Sequence, residues 1–265
     1  MSPHFLSVTV VPKLSQDPDG GFDVHWTVTT KGFTPTFQVQ SAPTESGPWV
    51  DQLVSRTSNL FALSLGRQLQ NAQPLAWFRV KMFNGSTEVA SSPAMDHRNG
   101  MERRSYLRYR EILRRKRIQL EKTPTLPGWL LRRRITGATC ATCCDPILET
   151  PVSSECSECF GTGISGGYYS KLSMRADWAA GTNPRTSTTV DKDQVGPITV
   201  QRSVAVIFAI PDAKSHDVWI DQGTRYAFLI EKSTPELWNG SCIGQTLELS
   251  RLPAQHPIYN FDLDE

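Results

Sequence analysis

No run in this 265-residue chain approaches the roughly 18 consecutive apolar residues that a membrane-spanning helix needs. The opening residues, MSPHFLSVTVVPKLS, lack the cationic start and long apolar stretch of a secretory signal, so a secreted protein is not expected. There is no Gly-x-x-x-x-Gly-Lys-Ser/Thr phosphate loop, no strand-linked Gly-x-Gly-x-x-Gly and no His-Glu-x-x-His. The histidines, His4, His25, His97, His216 and His256, are scattered. Ser215-His216-Asp217 is contiguous, and adjacent side chains are expected to point apart, so it does not read as a catalytic relay. Asn84-Gly85-Ser86 and Asn239-Gly240-Ser241 match glycosylation sequons but read as turns. These absences predict a chain that is neither an enzyme nor a membrane protein.

What is present suits packed β structure. Apolar residues make up 38% and charged residues 20%, and 18 glycines with 18 prolines favour turns and short strands over long bundles. At roughly 100–200 residues per domain, the length predicts two domains or three small ones. The net charge of +2 hides a segregation. Residues 1–97 hold 6 Lys/Arg against 7 Asp/Glu, residues 98–134 hold 13 against 3, and residues 135–265 hold 9 against 16. The balances of −1, +10 and −7 that follow speak to partners rather than to fold.

Residues 1–97 read as a β-sandwich. Phe22, Val24, Trp26 and Val28 alternate, as do Phe37 and Val39, and strands at Leu60–Leu65 and Trp77–Met82 follow. Asn84-Gly85 predicts a type I′ hairpin into Thr87–Ala90. Trp26, the Phe37–Ser41 strand followed by Gly47-Pro48-Trp49, and Phe78-Arg79-Val80-Lys81-Met82-Phe83-Asn84-Gly85 resemble a fibronectin type III domain. That resemblance implies a rigid adhesive or spacer module and no chemistry.

Residues 98–135 read as an arginine-rich helix and connector. The stretch 101–122 has no internal Gly or Pro, and Tyr106, Tyr109, Leu113 and Leu120 recur at helical spacing. It would be about 33 Å long, ending at Thr123-Pro124. Pro124 and Pro127-Gly128 are expected to turn the chain into a second basic element, 129–135. Arg103, Arg104, Arg108, Arg114, Arg115, Arg117, Arg132, Arg133 and Arg134 are the candidate partner contacts. They suit bidentate pairing with carboxylates of a neighbouring subunit, the preferred reading, or with phosphates, with Tyr106, Tyr109 and Trp129 stacking on bases.

Residues 136–177 read as a four-cysteine zinc segment. Cys140-x-x-Cys143 and Cys156-x-x-Cys159 are separated by twelve residues. Two such knuckles supply four sulfurs at about 2.3 Å from one structural Zn2+, leaving no open position for catalysis. Disulfides or a redox Cys-x-x-Cys are the competing readings, and Cys144 is an alternative ligand to Cys143. Cys242 reads as a small residue in a turn. The string Cys156-x-x-Cys159-x-Gly161-x-Gly163 resembles one repeat of the DnaJ-type cysteine-rich region, without the tandem repeats that would carry chaperone function.

Residues 178–197 read as an extended polar arm that orders on assembly, and residues 198–265 as a small β-barrel. Its strands are expected at Ile198–Phe208, Asp217–Ile220, Arg225–Lys232 and Gln245–Leu252, with a tail at Ile258–Leu263. The fold class is thus mainly β with one long basic helix. The arginine helix, Pro127–Arg134, the knuckles with Gly166-Gly167-Tyr168-Tyr169, and the block Asp217–Asp221, Thr224-Arg225-Tyr226 through Phe261 resemble virion structural proteins of tailed bacteriophages, of neck, head-closure or baseplate type. That resemblance spans residues 100–265. It implies a homo-oligomeric ring, assembled in the host cytoplasm, that meets portal, connector, tail or baseplate proteins and is compatible with contact to packaged DNA. A baseplate or tail ring is the alternative within the class. A zinc-ribbon nucleic-acid-binding protein is the alternative outside it.

Overall fold

The computed structural model describes residues 3–12, 21–30, 33–56, 60–64, 77–98, 100–123, 125–145, 156–178, 186–189 and 198–263. Among the described residues it is mainly β with one α-helix. The chain divides into two compact units, Met1–Glu111 with Ile135–Thr139 and Ile112–Arg134 with Cys140–Glu265.

The first unit is built from β1 (His4–Pro12), β2 (Gly21–Thr29), β3 (Thr36–Ala42), β4 (Val50–Arg56), β5 (Leu60–Ser64), β6 (Trp77–Asn84), β7 (Thr87–Ser91) and the short β8 (Met95–Asp96). They form two antiparallel sheets, ordered β1-β2-β5 and β4-β3-β6-β7, with β8 pairing β6. Strand alternation sends one set of side chains inward from each sheet. Val24, Trp26 and Val28 meet Phe37, Val39, Phe78, Val80 and Met82 in one core. Trp26 lies edge-on to Phe37 with ring centroids 5.2 Å apart. Asn84 pairs with Thr87, so the hairpin turns on Gly85-Ser86. Of Asn84 and Gly85 only Gly85 has positive φ (61°), which differs from the type I′ turn expected on Asn84-Gly85.

The helix, α1, spans Arg103–Lys122. Its buried residues include Tyr106, Tyr109, Leu113 and Leu120, the stripe that the spacing marks. Thr123 Oγ donates to the Gln119 carbonyl and Thr125 Oγ to that of Leu120, each at 2.6 Å, satisfying helix-end acceptors. Among the described residues no helix is long and apolar enough to cross a membrane.

The second unit is a closed six-strand barrel. Its strands are β9 (Leu126–Leu131), β10 (Leu172–Asp177), β12 (Ile198–Phe208), β13 (Val218–Asp221), β14 (Ala227–Trp238) and β15 (Ser241–Arg251). The order is β10-β9-β13-β14-β15-β12, and β10 pairs β12 through Ala176–Ile207 and Asp177–Val206 to close the ring. The barrel therefore extends beyond 198–265. It takes two strands from the region read as connector and cysteine segment, and Cys140, Cys143, Cys144, Cys156 and Cys159 lie on an insert between β9 and β10. Pro127 and Gly128 lie inside β9 rather than in a turn. Of the expected 178–197 arm, residues 178 and 186–189 are described; Thr186–Thr189 is β11, which pairs with the first half of β12. The rest of the arm lies outside the described residues.

Leu130, Trp219, Ile230, Leu247 and Leu249 fill the barrel. All four residues of β13 are buried, because its outer face is covered too. Val218, Ile220 and Leu131 pack outward against Tyr168, Ile258, Phe160 and Phe261. The expected tail strand is instead a 3-10 turn, Pro257–Asn260, that holds Ile258 in this outer layer. Cys242 lies on β15, its thiol donating to the Gly244 carbonyl at 3.3 Å, not in a turn.

Gln245 ties the loop after β12 to the barrel. Its amide nitrogen donates to the carbonyls of Phe208, Ala209 and Pro211 at 3.1, 3.0 and 2.9 Å, and its oxygen accepts from the Ala213 amide at 2.8 Å. Gln245→Ala removes the side-chain partner of the buried Ala209 and Pro211 carbonyls and of the buried Ala213 amide, and urea denaturation should show a loss of about 2–4 kcal/mol.

Candidate metal centre

The Cys140, Cys143, Cys156 and Cys159 sulfurs all lie within 4.8 Å of one another. The Cys140–Cys156 separation is 3.8 Å and the Cys143–Cys159 separation 3.2 Å. Ligands about 2.3 Å from a tetrahedral ion stand roughly 3.8 Å apart, so the cluster has the dimensions of a single-ion site. None of the four is in a disulfide.

Local backbone geometry makes the two knuckles. The Cys144 amide donates to the Cys140 carbonyl at 3.3 Å, and the Phe160 amide to that of Cys156 at 2.8 Å. Phe160 and Gly161 follow with φ of 53° and 80°, turning the chain sharply after the last cysteine. The Cys140 amide then donates to the Gly163 carbonyl at 2.9 Å, which clasps the first knuckle to the loop after the second. Gly167 faces this loop. A Cβ there would stand 2.7 Å from the Cys159 carbonyl oxygen and from the Phe160 ring. Thr142 and Ser165 both donate to Glu158, Ser165 at 3.0 Å, and these bonds hold its carboxyl below the usual range. Glu158 was not legible as part of the site, because its partners are 16 and 7 residues away and form no local pattern.

The electrostatics suit a cation. The amides of Cys159 and Glu158 pull the Cys156 thiol down to about 7. Cys143, hydrogen-bonded to Cys159, is pushed up. Four thiols this close do not all ionise unless a positive ion neutralises them. These residues can hold one metal ion. Cys144 does not belong to the four: its thiol donates to the Gly163 carbonyl at 3.3 Å.

The nine candidate arginines separate into distinct groups. Arg103, Arg104 and Arg108 are exposed on α1. Arg114, Arg115 and Arg117 have partners within the chain, Arg117 pairing with Glu121 at 3.0 Å. Arg132, Arg133 and Arg134 form the base of the cysteine insert. The Tyr169 amide donates to the Arg132 carbonyl and the Arg134 amide to that of Gly167, both at 2.9 Å. The Arg133 guanidinium donates to the Thr162 carbonyl and that of Arg134 to the Tyr168 carbonyl, again at 2.9 Å. Arg132 is only 4% exposed, and burial lowers its pKa. The Arg133 and Arg134 side chains thus bind the backbone of the insert, whereas the Arg132 side chain is buried beside the Tyr169 ring, its Nε and Nη1 without a hydrogen-bond partner among the described residues. Tyr106 and Tyr109 are buried and cannot stack on bases, and the Trp129 ring has the Arg225 guanidinium at 4.5 Å and the Lys171 ammonium at 5.9 Å from its centroid.

Ser215 Oγ and His216 Nδ1, expected to point apart, are 3.1 Å from each other. Asp217 is not turned to them. Its carboxylate accepts from the amides of Arg133 and Lys214, each at 2.7 Å. Burial pushes the Asp217 pKa up to about 6, against these bonds and the Arg132 charge. The folded state thus holds this proton more tightly than the unfolded chain does. The associated stability is complete below about pH 4 and is lost as pH rises through about 6. Asp217→Asn should remove on the order of 2–3 kcal/mol of that pH dependence, measured as the change in urea midpoint between pH 4 and 7 relative to the unaltered chain.

No protein-family model and no curated protein matches this chain.

Proposed function

We propose that the chain is a non-enzymatic structural subunit of a tailed-bacteriophage virion, a ring component of the head–tail neck, with a baseplate or tail ring as the alternative position. The observation that carries a structural role is the closure of four thiolate ligands around one point on an insert braced against the barrel. A single ion there, which we assign as zinc, fixes a segment with little apolar core of its own, since binding free energy at such a site is folding free energy. Supporting the virion placement is the sequence resemblance of residues 100–265. Supporting the fibronectin type III reading of the first unit is its β1-β2-β5 and β4-β3-β6-β7 strand order around a buried Trp26. The module would brace a neighbour while the barrel builds the ring. Quantitative mass spectrometry and electron microscopy of purified particles test this. A fixed ring-like copy number at the neck supports it, and absence of the chain from particles overturns it.

A further inference from the structure

We infer that the face of α1 formed by Arg103, Arg104, Leu107 and Arg108 is a docking surface for a partner protein whose contact patch is apolar at its centre and acidic at its rim. The inference deepens the ring reading and rests on it, because it names the chemistry of the neighbour that α1 meets.

At 100° per residue these four side chains span about 140° of the helix, on the side away from Tyr106, Tyr109 and Leu113. All four are exposed, Leu107 by 53%. Among the described residues, Arg103, Arg104 and Arg108 make no ion pair, hydrogen bond or ring contact, whereas Arg114, Arg115 and Arg117 are engaged within the chain. The three free cations do not serve the helix either. Its first turn has no acidic residue, so Arg103 and Arg104 face the positive end of the helix dipole. Arg104 and Arg108 are like charges four residues apart, a spacing that also disfavours the helix. Three local terms therefore oppose these residues, and an anionic partner would reverse all three.

Leu107 decides between classes of partner. It sits among the three arginines, and a sugar–phosphate backbone offers it nothing apolar. A protein surface can bury the leucine in a socket while carboxylates take the guanidinium groups in pairs, the pattern of an interface with an apolar centre and an arginine rim.

The test uses the full, metal-loaded chain in 150 mM salt and fluorescence anisotropy with three probes: an amphipathic helical peptide of Glu and Leu, poly-L-glutamate of equal charge, and a 20-nucleotide oligo-dT. The amphipathic peptide should bind most tightly. Leu107→Ser should weaken it about tenfold and leave poly-L-glutamate unchanged, while Arg104→Gln with Arg108→Gln weakens both. Circular dichroism should be unaltered, since all three positions are exposed. Tightest binding to oligo-dT, no preference for the peptide over poly-L-glutamate, or indifference to Leu107→Ser each overturns the proposal. Absence of the chain from virions would overturn the ring reading and leave the binding result standing. A chain present at the neck that does not bind the peptide overturns the docking surface alone.

Discussion

Gly128→Ala is expected to destabilise the barrel by about 3 kcal/mol, an unusually large effect for one methyl group. Gly128 lies in β9 beneath the indole of Trp219, which is fully buried. A Cβ at this position would stand 2.3 and 2.5 Å from Cζ2 and Cε2 of Trp219, and 2.8 Å from the carbonyl oxygen of Ile220. Neither neighbour can give easily. The indole is enclosed with Leu130, Phe228 and Ile230 in the core, and Ile220 belongs to the β9–β13 ladder. Gly223→Ala is the control. Its φ is not in the left-handed region, and its nearest neighbour is the Asp221 carboxylate at 3.4 Å, so a change within about 0.5 kcal/mol is expected. Trp219→Leu should partly rescue Gly128→Ala, making the double variant less unstable than the sum of the singles. The rescue stays incomplete because the Ile220 oxygen remains. Denaturation midpoints read these differences, and equal midpoints for the Gly128 and Gly223 variants would show that no close approach exists.

Gly128 also shows where sequence reading stops. Pro127-Gly128 carries turn chemistry, and a local window therefore assigns a turn. The glycine is needed for a different reason, the passage of Trp219 from a strand about ninety residues later. The same long-range cause hid β10 and the closure of the barrel, since nothing near Ala176 announces Ile207 as its partner. Half-buried strands were legible where one face alone meets the core, as in Phe78, Val80 and Met82 of β6. The helix stripe was legible on the same ground. Charge was visible and its use was not. Arg132–Arg134 look like the exposed arginines of α1 in sequence, yet Arg132 is buried and its two neighbours hold carbonyls of the insert. The cysteine set was legible because ligand spacing is itself local, and only the distance between the two knuckles had to come from the fold.

Purified chain is expected to carry one zinc ion, and Cys156→Ser is expected to lose it together with several kcal/mol of stability. The loss should spread along the contacts that the ion anchors. The two knuckles are joined by the Cys140–Gly163 and Thr142–Glu158 hydrogen bonds, and the loop beyond them supplies the Gly167 and Tyr168 carbonyls held by Arg134. Hydrogen exchange should therefore accelerate at Cys140, Phe160 and Thr162, and then at Arg134 and Tyr169, while β14 and β15 stay protected. Phe160 and Tyr168 cover the outer face of the barrel, so a fall in the thermal midpoint follows once the insert loosens. Acid should act in the same direction, because protons compete with the ion for the four sulfurs and metal affinity falls as pH falls. Cys144→Ser and Cys242→Ser provide the contrast. Each thiol donates to a backbone carbonyl and lies outside the cluster, so both variants should keep the full metal content. A Cys156→Ser chain that retained its zinc and its midpoint would contradict a four-thiolate site, and loss of metal in Cys144→Ser would mean that the first knuckle uses the neighbouring sulfur instead.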